Sequence, residues 1–160
     1  LDMIYGHFPI KRYDHPRYDY VVLVRDPLDR AFSQYNYLIQ RHLQSTQIDF
    51  RAARMADKLL SGRNSFTDWM RASFPRGIYA MYLDYWPASR FKLIGVVERY
   101  PEFCAKLGEL SKIELDAGVR ERSSGGHEHA PELSASVRSE VDEMMSADYA
   151  WYREFVKAAV

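Results

Sequence analysis

The sequence lacks the features that mark secreted, membrane or nucleic-acid-binding chains. It has one cysteine, Cys104, so no disulfide can form within the chain, and that residue fits a buried small hydrophobe. No apolar run approaches the roughly 20 residues of a membrane-spanning helix, and no signal-peptide layout is present. The formal net charge is zero, so no overall field attracts nucleic acid or a membrane surface. These absences favour a cytoplasmic, bacterial protein without nucleic-acid partners or membrane segments.

What the sequence does contain is enough apolar material for one core. Of its 160 residues, 47% are hydrophobic and 14% are aromatic. Arginine outnumbers lysine by 16 to 6. The planar guanidinium of arginine binds phosphate with two parallel hydrogen bonds more readily than the lysine ammonium group does. The same excess of arginine can also reflect genome composition. We therefore expect a single domain. An anionic ligand is one possibility that the arginine excess leaves open.

Hydrophobic periodicity predicts two strands, each followed directly by a helix. In the strand predicted at residues 20–25, the first five residues are apolar in succession, which indicates burial on both faces, as in a parallel sheet. Residues 91–98 form a second strongly apolar strand. Helices are predicted at residues 27–42, 49–61, from 65 onward, 77–86, 101–110, 133–145 and 148–158, with a loop at 112–131. The pattern predicts a layered α/β fold whose sheet is incomplete within this chain.

The first strand ends on Arg25, and a helix begins at once after it. Asp26 suits the N-cap position and Pro27 the first helical position. In open α/β sheets, ligands bind beyond the carboxyl ends of the strands, where free N–H groups of the next helix favour an anion. Ser33 lies seven residues after Asp26, two turns along the same side. A guanidinium, a hydroxyl and a helix terminus together predict a site for a phosphate monoester.

An ordinary structural interpretation of the same residues stays open. Arg25 can form an ion pair with Asp26 or Asp29, and Ser33 can be a small residue packed against the sheet. The pattern alone does not decide between packing and a ligand site.

Several segments, in order, resemble PAPS-dependent sulfotransferases of the carbohydrate 2-O-sulfotransferase and bacterial sulfotransferase type; PAPS is 3′-phosphoadenosine 5′-phosphosulfate. Residues 24–38, VRDPLDRAFSQYNYL, resemble the family's 3′-phosphate motif, R-D-P-x-x-R-x-x-S-x-Y. YGHFPI near the N-terminus resembles its G-H-F segment, and residues 91–110 resemble a later strand–helix unit. Residues 133–155 are similar to its closing helices.

The resemblance implies roles for individual residues. Arg25 and Ser33 would bind the 3′-phosphate of PAPS, and Arg30 would brace the helix. His7, in the GHF segment, would act as general base on the acceptor hydroxyl. Arg120 and Ser123 would contact the nucleotide from a basic, hydroxyl-rich loop. Without the resemblance, His7 is better interpreted as a packed, hydrogen-bonded ring.

The family's 5′-phosphosulfate loop, a glycine- and lysine-containing turn after its first strand, is not found in these 160 residues. We therefore expect residues 1–160 to be the C-terminal portion of one longer sulfotransferase-like domain. Its P-loop-NTPase-like parallel sheet would have the N-terminal strand and phosphate loop outside this chain. The implied activity is sulfuryl transfer from PAPS to a hydroxyl of a carbohydrate or other small acceptor.

Two alternative functions stay open. The chain can be a nucleotide-binding module or inactive relative that binds PAP or PAPS without catalysis. It can be a relative of P-loop kinases, although these place other residues where the RDP motif lies.

Residues 127–129, HEH, have metal-ligand side chains but no third ligand nearby, so no metal is expected. The aromatic segment IYAMYLDYW is interpreted as packing rather than as a sugar-stacking platform.

Overall fold

A computed structural model describes residues 9–44, 50–116, 118 and 133–160. Two strands and seven α-helices lie in the described ranges. They are β1 Val21–Val24, α1 Pro27–Leu43, α2 Phe50–Leu60, α3 Phe66–Ser73, α4 Ile78–Leu83, β2 Leu93–Val96, α5 Tyr100–Ser111, α6 Ala135–Met144 and α7 Ser146–Ala158. Short 3₁₀ turns occur at Ile10–Tyr13, Ala88–Arg90 and Val97–Arg99. The protein is mostly helical with a small parallel sheet, a mixed α/β arrangement.

The predicted helix starts are confirmed where the sequence carries a local cap. Asp26 is the N-cap of α1, with Pro27 as its first residue. Ser65 and Asp68 form a capping box at α3, in which the Asp68 amide donates to Ser65 Oγ at 3.1 Å and the Ser65 amide donates to Asp68 Oδ2 at 2.8 Å. Each cap satisfies N–H groups that the helix itself leaves unpaired, so these boundaries follow from adjacent residues.

The two strands pair in parallel, as the sequence predicts. Val21 lies opposite Leu93 and Val24 opposite Val96. The pairing extends by one hydrogen bond from the Lys92 amide to the Tyr20 carbonyl oxygen at 2.7 Å. The C-terminal residue, Val160, donates its amide to the Ile94 carbonyl oxygen at 3.1 Å. The carboxyl ends of β1 and β2 consequently lie at one edge of the sheet.

The two faces of the sheet are covered unequally. Val24, Ile94 and Val96 belong to the main core together with side chains of the helices. On the other face Leu93 packs with Phe103 and Cys104 of α5, so Cys104 is buried as predicted. Gly95 permits this approach, because a Cβ there would overlap the Phe103 ring.

The prediction that β1 is buried on both faces is wrong. Val21 is 36% exposed and Leu23 is 37% exposed, although Val24 is 1% exposed. In the described part of the chain β1 has one strand neighbour, β2, and α5 covers the sheet over β2. The apolar run in the sequence therefore indicates a strand correctly but overstates its burial.

The helix predicted at residues 77–86 is shorter than expected. It ends at Leu83, because Asp84 and Tyr85 adopt left-handed backbone conformations with φ of 49° and 50°. Trp86 is 8% exposed, and its carbonyl oxygen accepts a hydrogen bond from Trp151 Nε1 at 2.8 Å. Trp86 is thus a core residue, in agreement with the prediction that these rings pack inside.

Within the described ranges, no helix has the length and apolar character needed to cross a membrane. No group of three potential metal-ligating side chains is found among these residues either. The HEH segment at residues 127–129 lies outside the described residues.

Candidate functional site

The candidate site lies at the carboxyl edge of the sheet, where β1 leads into α1. Arg25 follows the last residue of β1, and Glu98 lies in the turn that follows β2. Because the strands are parallel, both turns emerge at the same edge. Arg25 and Ser33 are both partly exposed, so solvent reaches each side chain. The edge therefore presents polar groups from both strand–helix connections.

The first turn of α1 has no free N–H groups to offer an anion. Asp26 Oδ1 accepts from the Leu28 amide at 2.9 Å and from the Asp29 amide at 3.2 Å. The Arg30 amide donates to the Asp26 carbonyl oxygen at 2.9 Å, and Pro27 has no N–H. The expectation that free helix N–H groups contribute to the site is therefore wrong. The first turn of α1 therefore offers an anion its side chains rather than its amides.

Arg25 has an acidic neighbour on the same edge. Its Nε lies 3.9 Å from Asp29 Oδ2, with side-chain exposures of 24% for Arg25 and 13% for Asp29. The two side chains form an ion pair, but this distance is too long for a charge-assisted hydrogen bond. The predicted Arg25–Asp29 ion pair is thus present, with a long distance between the charged atoms. A phosphate would have to compete with the Asp29 carboxylate.

In the sequence, Asp29 lies midway between the two predicted phosphate ligands, Arg25 and Ser33. Ser33 is four residues after Asp29 in α1, so their side chains share one helix face. No hydrogen bond joins the Ser33 hydroxyl to another residue in the described ranges. The buried stripe of α1 is formed instead by Leu28, Ala31 and Phe32. Ser33 is therefore beside the core stripe, on the helix face that carries Asp29.

Arg30 contacts a helix rather than the edge. Its guanidinium lies over the Tyr82 ring of α4, 5.0 Å from the ring centroid. Gln34 Nε2 donates to the Tyr82 hydroxyl at 3.3 Å, so two residues of α1 contact the same tyrosine. The resemblance implies that Arg30 braces the helix against the loop, and that role stays a prediction, since the contact seen here is with α4.

A set of carboxylates and tyrosines surrounds the edge. Burial raises the pKa of Asp26, and the nearby carboxylates of Asp29 and Glu98 raise it further, while its cap hydrogen bonds lower it. Burial, with Asp26 as the next cause, raises the pKa of Tyr149 to about 12. Burial and Glu98 raise the pKa of Tyr152, whose hydroxyl lies 3.5 Å from Glu98 Oε2. The edge is thus of mixed charge: Arg25 is a cation beside these acids, and Arg138 also interacts electrostatically with Asp26 and Tyr149.

Sequence reasoning missed the residue that holds Arg25 in place. The Tyr79 hydroxyl, from α4, accepts a hydrogen bond from the Arg25 amide at 3.0 Å and donates one to the Arg25 carbonyl oxygen. Tyr79 is 2% exposed. Its position in an aromatic segment indicates packing, and no local signal relates it to a residue 54 positions earlier.

Behind Tyr79 lies a buried carboxylate. Asp148 of α7 is 1% exposed and accepts from the Ile78 amide at 3.0 Å, the Tyr79 amide at 2.9 Å and the Tyr85 hydroxyl at 3.0 Å. Burial raises the pKa of Asp148, while these hydrogen bonds lower it. A cavity of about 300 Å³ adjoins Asp148 and is otherwise lined mainly by apolar side chains. Neither Arg25 nor Ser33 lines that cavity.

Of the residues implied by the resemblance, Arg25 and Ser33 are on one strand–helix unit. His7, Arg120 and Ser123 lie outside the described residues, so their predicted roles stay predictions. Comparison with models of protein families, with characterised proteins and with solved structures gives no match for this chain.

Proposed function

We propose that this chain is the C-terminal portion of a PAPS-dependent sulfotransferase domain with a P-loop-NTPase-like layered fold. It transfers a sulfuryl group from PAPS to a hydroxyl of a carbohydrate or other small acceptor. The observation that carries the proposal is the unit formed by β1, Arg25 and α1. It places a guanidinium at the carboxyl edge of a parallel sheet and a hydroxyl two turns along the adjoining helix.

The chemistry of this edge suits a phosphate monoester. The Arg25 guanidinium can donate two parallel hydrogen bonds to two phosphate oxygens, and its ion pair with Asp29 is long, at 3.9 Å. A phosphate monoester carries a charge of about −1.5 to −2 at neutral pH, against −1 for Asp29. The ligand therefore competes favourably for Arg25, and Ser33 supplies a further hydroxyl donor. A 3′-phosphate on the donor nucleotide meets these requirements.

In the proposed reaction the acceptor hydroxyl attacks the sulfur of PAPS. A bond forms between the acceptor oxygen and sulfur, and the bond between sulfur and the 5′-phosphate oxygen breaks, which releases PAP. His7 takes the proton of the acceptor hydroxyl. Arg25 and Ser33 hold the 3′-phosphate and so align the donor for in-line transfer, as in phosphoryl transfer. Arg120 and Ser123 contribute additional nucleotide contacts in this proposal.

The decisive binding experiment compares PAP with AMP, which lacks the 3′-phosphate. We expect PAP to raise the melting temperature and AMP to have a much smaller effect. Arg25→Ala should weaken PAP binding roughly 10- to 100-fold, since a hydrogen bond to a charged group contributes about 1.5–3 kcal/mol. Lys106→Ala is the matched control, because this exposed cation of α5 pairs with Glu109. Equal affinity for PAP and AMP would exclude the 3′-phosphate site.

A turnover experiment on a longer protein that also contains the 5′-phosphosulfate loop separates the enzyme from a nucleotide-binding module. PAP release from PAPS is measured with a panel of neutral mono- and disaccharides. His7→Ala should reduce the rate by about 10²- to 10⁴-fold, the range typical of general-base catalysis. Tight PAP binding without turnover of any sugar would instead favour the binding module, and an undiminished rate in His7→Ala would remove the base role of His7.

A further inference from the structure

The backbone of Arg25 is held by one side chain from a distant element. As β1 ends, the Arg25 amide and carbonyl both hydrogen-bond to the Tyr79 hydroxyl, which accepts from the former at 3.0 Å and donates to the latter. One hydroxyl thus pairs with the donor and the acceptor of the same residue, as a neighbouring strand does in a sheet ladder. The strand end at Arg25 is fixed without a further strand.

Tyr79 is itself held by contacts that do not use its hydroxyl. Its amide donates to Asp148 Oδ1 at 2.9 Å, and its ring lies against Trp151 with 4.8 Å between the ring centroids. Asp148 is buried and bonds to the Ile78 amide as well. The hydroxyl is therefore presented to Arg25 from a rigid base in α4 and α7.

We propose that Tyr79 is a positioning residue for the anion site, because it fixes the backbone from which the Arg25 guanidinium extends. This inference rests on the proposed function, in which Arg25 binds the 3′-phosphate. A phosphate held by two parallel hydrogen bonds demands a defined guanidinium orientation, so a displaced backbone weakens binding of the 3′-phosphate in particular. Contacts to the rest of the nucleotide do not depend on this hydroxyl.

Tyr79→Phe isolates the positioning effect. It removes both hydrogen bonds to Arg25, while the ring contact with Trp151 and the amide bond to Asp148 need no hydroxyl. The affinity for PAP should fall about fivefold to tenfold, which corresponds to a loss near that of one ordinary hydrogen bond. The affinity for AMP should change less than twofold. The measured quantity is the ratio of the PAP and AMP dissociation constants, by calorimetry.

Tyr85→Phe is the matched control. It also removes a tyrosine hydroxyl from the same network, since that hydroxyl bonds to Asp148 Oδ1 at 3.0 Å and to the Arg76 carbonyl oxygen at 3.0 Å. Neither of these partners is Arg25. A purely structural role for Tyr79 predicts that both variants lower the melting temperature and leave the PAP-to-AMP ratio unchanged. The positioning role predicts a changed ratio in Tyr79→Phe alone.

The outcomes separate the inference from the function on which it rests. If the unaltered chain discriminates PAP from AMP and Tyr79→Phe keeps that discrimination, the positioning role is wrong and the proposed function survives. If the unaltered chain does not discriminate, both fail. Should Tyr79→Phe be unfolded at the assay temperature, the ratio is measured at a lower temperature at which the variant is folded. An unchanged ratio there would overturn the positioning role.

Discussion

Two polar clusters of this protein, joined by Tyr79, are built in opposite ways. At the edge of the sheet, Arg25 and Asp29 are partly exposed and their charged atoms are 3.9 Å apart. At the junction of α4 and α7, Asp148 is 1% exposed and accepts three hydrogen bonds of 2.9–3.0 Å. The first cluster can exchange partners with solvent or a ligand, and the second cannot.

The difference shows what burial requires of a carboxylate. A buried charge is tolerated only when its acceptor positions are filled, and Asp148 meets that condition through two amides and one hydroxyl. Asp29 is partly exposed, and its ion pair with Arg25 is long, at 3.9 Å. We infer that the Asp148 cluster contributes mainly to stability, while the Arg25 cluster remains available for function. Each prediction below tests one side of this contrast.

The largest expected effect is from Asp148→Ala. It leaves the Ile78 and Tyr79 amides without their acceptor, while the Tyr85 hydroxyl keeps the Arg76 carbonyl oxygen. Each unpaired buried group costs about 1–3 kcal/mol. We expect a loss of about 4 kcal/mol in the free energy of unfolding, which corresponds to a fall of roughly 8–16 °C in melting temperature for a chain of this size. Urea denaturation followed by circular dichroism measures it.

Asp142→Ala is the control for that experiment. Asp142 is an exposed aspartate of α6 that pairs with Arg138 Nε at 2.9 Å, one turn away in the same helix. Such a pair contributes about 0.3–0.5 kcal/mol, so the melting temperature should hardly change. Similar losses in the two variants would contradict the distinction between buried and exposed carboxylates.

A smaller effect is expected from Gly77→Ala, at the start of α4. Gly77 has φ of +99°, and a Cβ there would lie 2.8 Å and 2.9 Å from the two carboxylate oxygens of Asp148 and overlap the Tyr85 hydroxyl. Backbone strain of about 1–3 kcal/mol therefore adds to a steric conflict, and we expect a loss of about 3 kcal/mol in the free energy of unfolding.

Gly62→Ala separates those two causes. Gly62 also has positive φ, +69°, but a Cβ there would meet nothing within 4 Å. The backbone term alone, about 1–2 kcal/mol, should remain. If Gly62→Ala costs as much as Gly77→Ala, the steric contribution at the Asp148 cluster is absent.

The smallest effect is expected at the edge, from Asp29→Asn. Removing a negative charge beside Arg25 should strengthen PAP binding by about twofold to fivefold at low salt, because exposed ion pairs contribute about 0.2–1 kcal/mol. The gain should diminish as salt screens the charges. Glu109 pairs with Lys106 on α5, so Glu109→Gln should leave PAP binding unchanged. Weaker PAP binding by Asp29→Asn would mean that Asp29 orients Arg25 for the ligand rather than competing with it.

The features that sequence reasoning predicted depend on neighbouring residues. The Asp26 cap, Pro27 and the Ser65–Asp68 capping box are local, and the apolar runs at β1 and β2 indicate their parallel pairing. The burial of β1 was overstated, because exposure depends on which elements lie beside a strand. The early end of α4 at Leu83 results from left-handed residues that carry no glycine signal.

In the candidate site, too, contacts between residues close in sequence were predictable, and contacts between distant elements were not. Arg25, Asp29 and Ser33 are close in sequence, so their proximity and the possible Arg25–Asp29 pair were predictable. Tyr79 and Asp148 come from elements 54 and 123 positions after Arg25, and only the packing of α4 and α7 brings them to the strand end. The availability of the helix N–H groups was predicted wrongly, because the Asp26 that starts the helix also occupies them.

The indole rings give this protein a built-in optical reporter. All three tryptophans are buried, with exposures of 3% for Trp69, 8% for Trp86 and 6% for Trp151. Their fluorescence should shift to longer wavelength when the chain unfolds, without any attached dye. Trp151 touches the Tyr79 ring, so its emission is well placed to register a nucleotide arriving at Arg25.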